Sequence, residues 1–174
     1  GYSRKASGGA GGINLCLGMS RLAVLIRKMV RSDLHDVSDL DFASFDTGWT
    51  ETMYEGELEK EFSVYYVAEE NGRIIGYAGI WCIMETADVS RIAVAGTERR
   101  RGIGAALMRC IIAEAGRRGC ERVMLEVNEQ NAAARRMYEG FGFRAIDLRK
   151  GYYGDGSAVI MELCPIAAAK GAEN

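Results

Sequence analysis

Hydrophobic positions recur along this chain with two different spacings. Leu34, Val37, Leu40 and Phe45 form one helical stripe over about 33–45, with Ser32 placed to cap it. Positions 103, 106, 107, 110 and 111 repeat that period over 102–118, where Arg117 and Arg118 occupy the last turn and Gly119 stops the helix. Val123, Leu125 and Val127 instead alternate, which predicts a strand over Arg122–Asn128. Leu22–Met29 reads as a first strand, and Thr50 to about Glu61 as a second, acidic helix. Ser63–Glu69 and Arg73–Met84 flank Asn71-Gly72, the strongest short hairpin signal, and Asp88–Ala95 continues the meander. Asn131–Glu139 is a short helix stopped by Gly140 and Gly142, followed by strands over Phe143–Arg149 and Ser157–Leu163. The order β-α-α-β-β-β-α-β-α-β-β predicts an α/β (α+β) fold. Its mixed, mostly antiparallel sheet has six to seven strands and about four helices, and the later helix-linked strands are parallel neighbours. Residues 1–18, with six glycines, read as a disordered leader, 19–166 as one domain and 167–174 as a flexible tail.

Composition narrows the chemistry. With 174 residues, 48% of them apolar and 26% charged, the chain suits one globular domain. Its 22 basic and 24 acidic residues give a net charge of −2, which points to neither nucleic acid nor an anionic membrane. No apolar run approaches the ~20 residues of a bilayer span. A single histidine, His35, between Asp33 and Asp36, reads as a solvated surface residue and leaves no His-rich metal site, so no metal is expected. Cys16, Cys82, Cys110, Cys120 and Cys164 are odd in number and widely spaced, which argues for free thiols and a reducing, cytoplasmic setting.

Three features carry chemistry. Arg99-Arg100-Arg101-Gly102-Ile103-Gly104-Ala105 lies between a strand and a helix. Glycines allow close backbone approach, the first helical turn offers unpaired N–H groups, and arginines add phosphate ligands. The segment is an anion cradle or a basic loop before an ordinary helix; it is neither a Walker loop nor a dinucleotide fingerprint. Glu126 alternates to the opposite side from Val123, Leu125 and Val127. It is a partly buried general base if the strand is central, or merely solvated if the strand is at an edge. Asn131 and Tyr138, seven residues apart, share one helix face about 10 Å apart. They line a ligand, or act as helix cap and core aromatic.

These residues carry a resemblance. From Leu22 to Leu163 the chain resembles the GCN5-related N-acetyltransferases, whose hallmark Arg/Gln-x-x-Gly-x-Gly/Ala is filled by Arg99, Gly102 and Gly104. "LEVNEQNAAARRMYEGFGF" (125–143) and "RKGYY…VIMEL" (149–163) are similar to the ribosomal-protein-alanine N-acetyltransferase branch, which acetylates a protein's N-terminal α-amine. The resemblance implies acetyl-CoA as cosubstrate. It places pantetheine contacts on Ile92, Ala93 and Val94, and the pyrophosphate cradle on Arg100, Arg101, Gly102, Ile103, Gly104 and Ala105, with Arg99 opening the motif. It also implies a cofactor contact at Asn131, proton acceptance at Glu126 and proton donation at Tyr138. Trp49, Tyr152 and Tyr153 are the substrate-side candidates, and the implied partner is the N-terminal segment of a protein, a ribosomal protein in that branch. Thr47-Gly48-Trp49-Thr50 stands where relatives carry Pro-Trp-Ser, and Ser157-Ala158 where they carry Asp-Ala. Two other functions fit the same residues: acetylation of a small amine such as a polyamine, amino acid or drug, and non-catalytic acyl-CoA binding.

Overall fold

The computed structural model describes residues 13–15, 23–153 and 156–168. In chain order these form β1 (Ile13–Leu15), β2 (Val24–Lys28), α1 (Leu34–Ser44), α2 (Glu51–Glu59), β3 (Ser63–Glu70), β4 (Arg73–Ile83), β5 (Thr86–Val94), α3 (Ile103–Arg117), β6 (Arg122–Asn128), α4 (Ala132–Phe141), β7 (Arg144–Tyr153) and β8 (Gly156–Leu163), with short 3-10 turns between. From β2 onward the order is the expected one. β1, three residues inside the expected leader, adds a further strand to the seven anticipated. The rest of 1–18, Cys16 included, and the tail beyond Ala168 lie outside the described residues.

The strands form one sheet in the order β1-β2-β3-β4-β5-β6-β8-β7. Every pairing is antiparallel except β5 with β6. Asn71 and Gly72 both take positive φ, 51° and 74°, as the two-residue turn between β3 and β4 requires. Side-chain alternation makes the layers. Val64, Tyr66 and Ala68 of β3 join the core beneath α3 and α4, while Tyr65 and Val67 face the opposite side with Leu34 and Val37 of α1 and Tyr54 of α2. α3 is the main buttress: Ile103, Leu107, Met108, Ile111 and Ile112 are each at most 2% exposed. Burial of each such side chain contributes about 1.5–3 kcal/mol.

Two expectations are corrected. Ser32 makes no cap; a 3-10 turn over Arg31–Asp33 precedes α1, and the Asp33 carboxylate accepts from Val30 N at 2.9 Å. β6 and β7, joined through α4, are not neighbours, because β8 lies between them and pairs antiparallel with both. The reason is polarity. β8 carries the run Val159-Ile160-Met161, buried throughout, whereas β7 carries Arg144, Asp147, Arg149 and Lys150 and takes the exposed edge.

Candidate active site

The parallel contact between β5 and β6 is short. Thr86, Ala87 and Asp88 register with Arg122, Val123 and Met124, and beyond Asp88 the strands separate. A β-bulge helps turn β5 away: Gly79 pairs with Arg91 and Ile80 with Val89, which leaves Ser90 as the extra residue. Ser90 Oγ is 2.6 Å from the Tyr65 hydroxyl. The gap is a cleft of about 950 Å³. Its walls include Asp88, Val89, Ser90, Arg91 and Ile92 on one side, and Met124, Glu126, Asn128, Asn131 and Tyr138 on the other. Ser44 at the end of α1, the following Phe45 to Thr47, and Arg149 of β7 also border it.

β6 is central, not an edge, so Glu126 is where a carboxylate meets an opening rather than a solvated rim. It is more exposed than expected, at 35% for the side chain, and its Oε1 accepts from Arg149 Nη1 at 2.9 Å. Tyr138 reaches the cleft from the α4 face, at 5% residue exposure, packed on Phe143 with ring centroids 5.9 Å apart. Burial pushes its phenol up to about 12, so it stays protonated at neutral pH and can act as an acid. Asn131 caps α4, its Oδ1 accepting from Ala134 N at 3.2 Å, and it also borders the cleft.

Ala95 N donates to Ile75 O at 2.8 Å. Alternation in the antiparallel β4–β5 ladder then directs the main-chain N–H and C=O groups of Ile92 and Val94 toward the gap, and those of Ala93 toward β4. Ala93 is buried with Tyr77 on the α1 side. At the mouth of α3, Gly102 is the N-cap, with φ 78°, and no side chain caps the helix. The first intrahelical bond runs from Ala106 N to Gly102 O, so the N–H groups of Ile103, Gly104 and Ala105 have no helical partner. Arg99 and Arg100 are exposed with no ion pair among the described residues. The Arg101 guanidinium holds Glu70 with two bonds, 2.7 and 2.9 Å, and also bonds Glu98. The cradle itself does not border the cleft. An uncapped helix mouth with two exposed arginines, followed by free strand amides and a cleft, fits an elongated ligand that is anionic at one end.

Trp49 does not border the cleft; it packs behind the wall, on Tyr54 and Arg91. The side chains of Tyr152 and Tyr153 lie outside the described residues, with their backbone at the end of β7. Asp88, Arg91 and Arg149 are cleft residues that the sequence reading did not single out. The Asp88 carboxyl is held above the usual range by burial and by the nearby charge of Glu126. Arg149 opens the "RKGYY" block, whereas no sequence signal marks Asp88, because its place is set by where β5 and β6 part.

The family model for the acetyltransferase (GNAT) family matches residues 33–143. The chain is 31% identical over 119 residues to the ribosomal protein bS18-alanine N-acetyltransferase of Escherichia coli (strain K12), covering 66% of this chain and 80% of that one. It is 32% identical over 136 residues to N-alpha-acetyltransferase RimI of Mycobacterium tuberculosis, covering 75% and 84%. The crystal structure of the ribosomal-protein-S18-alanine N-acetyltransferase from Escherichia coli superposes with a TM-score of 0.74 at 29% identity, over 86% of this chain and 96% of that one. Sequence, topology and the uncapped mouth of α3 agree, and the chain belongs to the acetyltransferase (GNAT) family of acetyl-CoA-using enzymes.

Proposed function

We propose that this enzyme is an N-α-acetyltransferase of the ribosomal-protein-alanine type, acting on the N-terminal amine of a protein in the cytoplasm. The observation that carries the reading is the meeting of Glu126 and Tyr138 in one cleft, a carboxylate and a protonated phenol arriving from opposite sides of the sheet. Relatives whose names specify acetylation of a ribosomal-protein alanine support the choice of acceptor.

Acetyl-CoA supplies an activated acetyl group as a thioester. Ile103, Gly104 and Ala105 N–H, with Arg99 and Arg100, would hold its phosphates, and the cleft-facing amides of Ile92 and Val94 would orient its arm and acyl carbonyl. Asn131 borders the same passage. An α-amine has a reference pKa near 8, so about a tenth is neutral at pH 7 and modest help suffices. Glu126 takes the amine's proton, directly or through a water, and Tyr138 gives its phenolic proton to the leaving sulfur. Asp88 adds negative charge at the fork, which favours entry of a cationic amine. Neither a cysteine nor His35 is needed.

Turnover with acetyl-CoA is the test, using short peptides that differ only in the first residue beside spermidine and a peptide with a blocked terminus and free lysine. Alanine-first peptides should react fastest; preference for spermidine or for the lysine side chain overturns the reading. Tyr138→Phe should lower kcat about 100-fold or more while acetyl-CoA affinity changes little. Glu126→Gln should lose most rate at low pH, where the amine is charged.

A further inference from the structure

Asp41 is completely buried in α1, and nothing in the chemistry above uses it. Its carboxylate accepts from Trp49 N at 2.6 Å, Tyr54 OH at 2.8 Å, the Tyr77 hydroxyl, and Arg91 Nε and Nη2 at 2.7 and 2.9 Å. Burial pushes this carboxyl up, but the bonds from Arg91, Tyr77, Trp49 and Tyr54 outweigh it and hold it below the usual range. A buried ion pair is a poor way to gain stability, because apolar residues of equal volume do as well or better. The pair sits at the wall of the cleft. Arg91 belongs to β5, next to Ile92, and Nη2 also donates to Thr47 O at 2.9 Å. Its guanidinium lies 4.2 Å from the Phe45 ring centroid and 4.8 Å from that of Trp49. The segment joining α1 to α2 is thereby fastened to the strand that borders the cleft. One edge of the guanidinium is left over: Nη1 has no partner among the described residues.

Resting on the α-amine reading, we propose that Arg91, with its charge neutralised by Asp41, holds a main-chain carbonyl of the acceptor peptide through Nη1, and that Asp41 is its positioning residue. A neutralised guanidinium does not repel an ammonium terminus, yet still donates to a neutral oxygen. A polyamine offers no such oxygen, so the contact selects peptides over simple amines. Arg91→Lys keeps the cation but loses the planar fork that serves Asp41, Thr47 and the acceptor together.

The probe is a hexapeptide with a free N-terminal alanine. For Arg91→Lys we expect its KM to rise 10-fold or more, with kcat at saturation within about 3-fold and the acetyl-CoA Kd by calorimetry within about 2-fold. An unchanged peptide KM, or equal losses of peptide and acetyl-CoA binding, overturns the assignment. Asp41→Asn should raise the peptide KM further; should it not fold, Arg91→Lys carries the test alone. Peptide binding is also titrated calorimetrically into the CoA-loaded protein. A wild type that binds the peptide but does not acetylate it counts against the proposed reaction, and weaker binding by Arg91→Lys then still supports the contact. A wild type that neither binds nor acetylates it overturns both.

Discussion

Asp88 and Glu126 are placed within each other's field at the fork of β5 and β6, and only Glu126 has an ion-pair partner among the described residues, Arg149. The imbalance has a thermodynamic sign. A carboxyl held above its ordinary value in the folded state binds its proton more tightly there than in the unfolded chain. Asp88 therefore costs stability when ionised, above the carboxylate range, and costs nothing once both states are protonated. Asp88→Asn should stabilise the fold by a few tenths of a kcal/mol near neutrality, small because the carboxyl is only partly withdrawn from water and solvent screens much of the effect. Chemical denaturation at several pH values checks this; the gain should vanish as the pH falls below about 3. Glu126 and Tyr138 were legible because their motifs fix both spacing and order. Arg91 and Asp88 were not, since nothing in a strand's alternation reveals where its neighbour will part from it. Asp41 was legible in principle: it falls on the stripe of Leu34 and Val37, one turn beyond Val37, where a charged residue contradicts the pattern.

Among the elements, α3 combines stability and ligand binding at different ends. Its body carries the buried apolar row, and its mouth depends on Gly102 in the left-handed region. Gly102→Ala should cost about 1 kcal/mol in thermal unfolding and weaken acetyl-CoA binding, because an L-residue resists that backbone. A variant that melts lower but binds acetyl-CoA as tightly as wild type would remove the mouth from the binding site. β4 has a comparable dependence: a Cβ at Gly79 would lie 2.2 Å from the Tyr65 ring, whose hydroxyl meets Ser90 at the bulge. Gly79→Ala should destabilise by about 1–3 kcal/mol through forced repacking, as denaturant titration would read. The elements themselves were legible from periodicity to within a few residues. Strand order was not: two strands linked through α4 satisfy the same pattern whether or not a third enters between them, and only the contrast in polarity between β7 and β8 decides it.

Across the whole molecule, α3 is tied to β2 and β3 by an electrostatic knot around Glu114. Burial opposes ionisation of Glu114, but bonds from Arg117 at 2.6 Å and Arg118 at 3.0 Å, with Lys28 and Tyr66 nearby, draw it down to about 2. A lowered carboxyl contributes stability that is complete above the ordinary carboxylate range and is lost as the pH falls from about 4.5 toward 2. Glu114→Gln should cost about 2 kcal/mol at neutral pH, and the difference from wild type should close on acidification across that window.

The three-residue seam between β5 and β6 has a mechanical meaning. The eight strands of the described residues count as a single sheet only because of it; without that seam the ladder would be two half-sheets, β1 to β5 and β6 to β8, hinged about α3. A molecule wedged along the open part of the fork touches both halves and acts as a removable rivet. Saturation at about 100 times its Kd would add about 2.7 kcal/mol to the work of prising them apart.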